Sequence, residues 1–141
     1  MLAMPSMSLV TPPAGGTEKL TINLGVVDLG QIDLLVRDGF YSNRTDLIRT
    51  AIRNQLAVHA DAVKQTVSRQ SFHLGLQHIT RAELEQASAT GEQLHVRVVG
   101  LARIADDVTP QLARAAIKSI SVLGAFHASA AVRRALADRM K

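Results

Sequence analysis

Lys19-Leu-Thr-Ile-Asn-Leu-Gly25, the run from Val26 to Asp38, and Tyr41-Ser-Asn-Arg-Thr-Asp-Leu-Ile-Arg49 are the stretch whose reading decides the fold. Leu20, Ile22 and Leu24 alternate with Lys19, Thr21 and Asn23, the period of a strand with one apolar face. After Gly25 the spacing becomes helical: Leu29, Ile32 and Val36 share a face, with Leu35 beside them. Gly39 follows the last periodic residue, where a left-handed cap ends a helix. Asn43 is placed to cap a second helix, with Asp46 in its first turn, where an acid favours the helix dipole. Leu47, Ile48, Ala51, Ile52 and Leu56 form that helix's apolar stripe, and Arg49 and Arg53 lie together on its other side. With no Pro or Gly before Gly75, the helix is predicted to run past Val63 toward Val67.

Strand, helix, turn and helix within about fifty residues cannot bury a core alone, because a unit that small exposes too much surface. A lone strand also leaves backbone groups unpaired on both edges. Pairing two copies through their strands removes both problems. At these residues the chain resembles the ribbon-helix-helix family of CopG-, Arc- and MetJ-like repressors, over residues 18–56. The resemblance is carried by the strand, the Asp38-Gly39 turn and the Tyr41–Arg49 helix opening. It departs from the common pattern at Asn43, where serine is usual, and Gly30 weakens the first helix by about 1 kcal/mol relative to Ala.

The resemblance implies an intertwined dimer whose strands form an antiparallel ribbon in the DNA major groove. Lys19, Thr21 and Asn23 would then contact bases. Lys donates to guanine, Asn pairs with adenine, and Thr bonds a base edge or touches a thymine methyl. Asn43, Arg44 and Thr45, at a helix N-terminus with free N–H groups, would hold backbone phosphates. Arg49 and Arg53 are expected to be solvated or paired with carboxylates.

The second half carries an internal repeat. Val96-Arg-Val-Val-Gly100-Leu-Ala-Arg-Ile104 aligns with Ile120-Ser-Val-Leu-Gly124-Ala-Phe-His-Ala128, and Val108 and Leu112 fall on Val132 and Leu136. A less regular copy surrounds Leu74-Gly75-Leu76 and Ile79, with Phe72 and Leu74 out of phase by one. Each unit reads as a strand through the glycine and then a helix or loop, over Arg81 to Thr90, Pro110 to Lys118 and Ala130 to Met140. The expected fold is therefore α+β: an N-terminal ribbon-helix-helix intertwined dimer, then a small βα-repeat, solenoid-like C-terminal domain. The alternative for the second half is a simple two-layer α/β domain. The domains are a flexible arm at 1–17, the DNA-binding domain at 18–70 and a βα-repeat oligomerisation domain at 71–141.

Composition narrows the function classes. Aromatics are only Phe40, Tyr41, Phe72 and Phe126, too few for a single-strand stacking platform. Cys is absent, which removes disulfides, thiolate metal sites and a Cys nucleophile. The net charge of +4 is spread as +1 over 18–70 and +3 from Ser71 onward, so it locates no site. His78 and His127 occupy equivalent repeat positions with Arg103 between them, a polar column rather than a ligand set. Asp106-Asp107 is expected to cap a loop before Val108, and Glu83 and Glu85 to face solvent. No nucleophile elbow, phosphate loop or paired acid and base appears.

The sequence therefore predicts no catalytic residue, metal or cofactor. It predicts a cytoplasmic chain without a signal peptide or membrane span, whose partners are double-stranded DNA and itself as a dimer, tetramer or higher assembly. The function expected is a sequence-specific transcriptional repressor. The alternatives are an antitoxin that wraps a toxin and represses its own operon, or an assembly protein whose ribbon is only a dimer interface.

Overall fold

The computed structural model describes residues 16–141. The expected arm at 1–17 thus lies outside the described residues except for Gly16 and Thr17. Backbone contacts divide the described chain into two compact units, Lys19–Thr66 and residues 16–18 with Val67–Lys141.

In the first unit, Lys19–Gly25 has no regular secondary structure, because no described strand lies beside it to pair with. Helix α1 spans Val26–Arg37 and α2 spans Arg44–Val58. Gly25 begins α1 without a side-chain cap, and Gly39, at φ 87°, ends the turn that follows. Asn43 caps α2: its side-chain oxygen accepts the Asp46 N–H at 2.8 Å, and Asp46 Oδ2 accepts the Ser42 N–H at 2.9 Å. Leu29, Ile32, Leu35 and Val36 are half-buried, as are Leu47 and Ile48, so the two apolar stripes face each other. The predicted continuous helix breaks at His59, whose N–H turns back to the Leu56 carbonyl three residues earlier. Helix α3, Ala60–Arg69, then starts afresh.

The second unit contains β1 (His73–Ile79), α4 (Arg81–Thr90), β2 (Leu94–Ile104), α5 (Pro110–Ala116), β3 (Ile117–His127) and α6 (Ala130–Leu136), and a 3-10 turn at Ala137–Arg139. The strands form one parallel sheet in the order β1-β2-β3. Its register sets Gly75 beside Gly100 and Gly100 beside Gly124, as the repeat predicts, and it also aligns His78, Arg103 and His127. Thr80, Thr109 and Ser129 cap α4, α5 and α6 by accepting the N–H of the residue three positions on. Thr109, rather than Asp106 or Asp107, therefore starts α5. Residues predicted to extend α5 to Lys118 instead open β3, since Ile117 already pairs with Leu94. The helical end predicted at Met140 stops at Leu136 and gives way to the 3-10 turn.

The core lies between the sheet and one helical layer. Val96, Val98, Ala102 and Ile104 of β2 pack with Leu84 and Ala87 of α4, Ala113 and Ala116 of α5, and Val132 and Leu136 of α6. The glycine rung has a steric origin. Gly100 and Gly124 adopt φ 138° and 122°, and a Cβ on either would stand 2.1 Å from the carbonyl oxygen of the preceding strand's glycine. Only a residue without a side chain lets three strands pack so closely there. Among the described residues of this unit no helix packs on the opposite sheet face, and Leu74, Leu76 and Leu123 are exposed on it. This unit is a three-strand parallel α/β layer pair built from 24- and 25-residue steps.

Candidate nucleic-acid interface

The first unit displays its sequence-predicted site residues on two adjacent segments of chain. Lys19, Thr21 and Asn23 are exposed along the extended segment, and so are their apolar neighbours Leu20, Ile22 and Leu24, at 80%, 58% and 42%. No residue of Lys19–Thr66 enters the buried core. Exposure continues along the helices through Leu34, Ile52 and Leu56. A short segment with both its apolar and its polar side open, next to helices with a half-covered stripe, presents a contiguous exposed apolar surface. Burying those side chains on a second surface stabilises by about 1.5–3 kcal/mol for each one fully covered.

At the start of α2 the structure separates the three predicted phosphate-binding residues. Asn43 and Thr45 line a shallow concavity with Ser42, Asp46, Arg49 and Arg53. Arg44 is engaged elsewhere, with its Nε and Nη2 donating to the two Asp33 oxygens of α1 at 2.8 and 2.9 Å. Those hydrogen bonds raise the guanidinium's pKa and hold the Asp33 carboxyl below the usual carboxylate range. Both groups are exposed, so the pair orients Arg44 more than it stabilises the unit.

Arg49 and Arg53, rather than Arg44, line the concavity beside Asn43 and Thr45. They follow Thr45 at successive four-residue steps, which puts all three on one helix face. Among the described residues neither arginine is within ion-pair distance of a carboxylate and both are exposed, so of the two expected states they take the solvated one. Their spacing from Asn43 was legible in the sequence, whereas the Asp33 contact that withdraws Arg44 depends on how α1 and α2 cross. The concavity combines two hydroxyls, an amide, the Asp46 carboxylate and two arginines at a helix N-terminus, so its cations outnumber its one anion. Among the described residues no group of three or more His, Asp or Glu could hold a metal.

An exposed extended segment with one apolar and one polar side is thus followed by two helices, the second capped by Asn43. A profile of the ribbon-helix-helix transcriptional regulator family matches residues 15–133, and the chain belongs to that family. The match runs through β3 into α6, so the glycine-rung unit is part of the family pattern, well beyond the stretch whose residues carry the resemblance. No curated protein and no solved structure matches the chain significantly. Among the described residues no helix is long and apolar enough to cross a membrane.

Proposed function

We propose that the chain is a dimeric, sequence-specific DNA-binding repressor that reads the major groove with a ribbon made of two Lys19–Gly25 segments. The observation that carries this is the absence of any buried residue in Lys19–Thr66 while Leu20, Ile22 and Leu24 stand open beside the helical stripe. Pairing two segments turns those side chains into a shared core and sends Lys19, Thr21 and Asn23 to the opposite side, toward base edges. Asn43 and Thr45, with Arg49 and Arg53 added, hold the flanking phosphates and set the ribbon's register. Arg44 joins them when a phosphate competes for it against Asp33.

The second unit joins dimers, so that adjacent half-sites are filled together through raised effective concentration. The outer edge of β1 suits this role, since among the described residues it has no strand neighbour, whereas β3 is bridged at Ile120 by Met140.

Selection of binding sites from random duplex DNA, followed by affinity measurements on the selected and a scrambled site, tests the reading. Asn23→Ala and Lys19→Ala are each expected to reduce the ratio of the two affinities at least tenfold while the dimer persists. Unchanged discrimination in both variants overturns base readout by the ribbon and leaves the segment as a dimer interface alone.

A further inference from the structure

The sheet face opposite the helices poses a separate problem. Leu74, Val99 and Leu123 form one apolar row across it, and Leu76, Leu101 and Ala125 form a second. Leu74 and Leu123 are more than half exposed, yet Leu101 is 8% exposed without belonging to the core cluster under the helices. A contiguous apolar surface on both rows of a sheet calls for a cover. Arg97 stands at one margin and Arg103, between His78 and His127, at the other, so a second copy of the same face would bring arginine toward arginine.

The described chain begins on this face. Gly16, Thr17 and Glu18 border a cleft of about 430 Å³ whose other walls include Leu76, Leu101 and Ala125. Glu18 Oε1 lies 2.9 Å from His127 Nε2, which ties the start of the described chain to the face's basic margin. We infer that residues 1–15 of the same chain, which lie outside the described residues, are the occupant of this face.

Length and composition both fit. Fifteen residues reach about 50 Å when extended, while three strands span only about 10 Å between the outer two. Residues 1–17 contain no Asp, Glu, Lys or Arg, and they include Leu2, Met4, Met7, Leu9 and Val10. An uncharged apolar segment can cover the two rows without desolvating a side-chain charge. This assignment is independent of DNA binding, because it concerns only the second unit and the residues before it.

The absence of cysteine makes a direct test possible. Leu123→Cys is combined in the full-length chain with Met4→Cys, Met7→Cys or Leu9→Cys in turn, and the same three are combined with Glu85→Cys on α4. Mild oxidation and mass spectrometry then give the rate and the connectivity of each disulfide, which forms only when the two Cα atoms come within about 7 Å. At least one arm position should form an intrachain bond to position 123 ten or more times faster than to position 85, at every protein concentration. Equal rates to 123 and 85, or no bond to 123 from any of the three, overturn the assignment. A bond to 123 that is interchain also overturns it and gives the face to a second copy.

Discussion

Replacing Gly100 with Ala isolates the physical basis of the glycine rung. The perturbation adds one carbon, and its effect has two parts. Backbone held at φ 138° is strained for any residue with a side chain, at a cost of about 1–3 kcal/mol. The new Cβ would also lie 2.1 Å from the Gly75 oxygen, about 1 Å inside a tolerable contact, and that oxygen is fixed in the backbone of a three-strand sheet. Relief requires β1 and β2 to part locally, at the loss of one or two ladder hydrogen bonds worth about 1 kcal/mol each. The sum is about 2–5 kcal/mol, a large share of a domain's usual 5–15 kcal/mol.

Gly75→Ala separates the two parts, because position 75 has a similar φ of 129° but its nearest neighbour would be the His73 ring at 3.9 Å. It should lose only the strain. Urea unfolding followed by far-ultraviolet circular dichroism, at one fixed protein concentration, reads both variants. Gly100→Ala should fall at least about 1 kcal/mol below Gly75→Ala, and Gly124→Ala should behave like Gly100→Ala. Equal stability of the 75 and 100 variants would refute the claim that close strand approach sets the rung.

Three further outcomes follow from the site and the core. Arg49→Ala should weaken selected and scrambled DNA equally and flatten the plot of log affinity against log salt by about one unit per arginine lost, as measured by fluorescence anisotropy. Asp33→Asn frees Arg44, so it should strengthen DNA binding severalfold and steepen the same plot. In the parent, Asp33 titrates below the usual carboxylate range, so its pairing contributes at neutral pH and is lost as the pH falls through that lowered value. Carboxyl NMR should show its midpoint return to the ordinary range in Arg44→Ala. Leu84→Ala empties a fully buried position against the sheet and should lower stability by about 3–5 kcal/mol in the same urea assay.

Periodicity and spacing made much of this protein legible before its structure. The repeat offsets that align Gly75, Gly100 and Gly124 are the strand register itself, because parallel strands separated by one helix advance by a fixed residue count. Leu74 looks out of phase in sequence for a physical reason: as the partner of Val99 it belongs to the uncovered face, while His73 stands where Val98 turns to the core. Asn43 as a cap follows from side-chain chemistry and was equally readable.

Other features depend on contacts that no local pattern encodes. Arg44 is diverted by an aspartate eleven residues away, and Ile117 becomes strand because Leu94 is beside it. The break at His59 occurs in a run with no Pro or Gly to announce it. Lys19–Gly25 has strand periodicity without strand pairing, since no described strand lies beside it.

That last segment bears the weight of the functional reading, and amide hydrogen exchange in the DNA-free protein interrogates it most directly. If two copies of Lys19–Gly25 pair, alternate amides across the segment should be protected by a factor of a hundred or more, and protection should fall when the protein is diluted below its dimer dissociation constant. Exchange of every amide from Leu20 to Leu24 at the rate of an unstructured peptide, in concentrated protein, would contradict the ribbon.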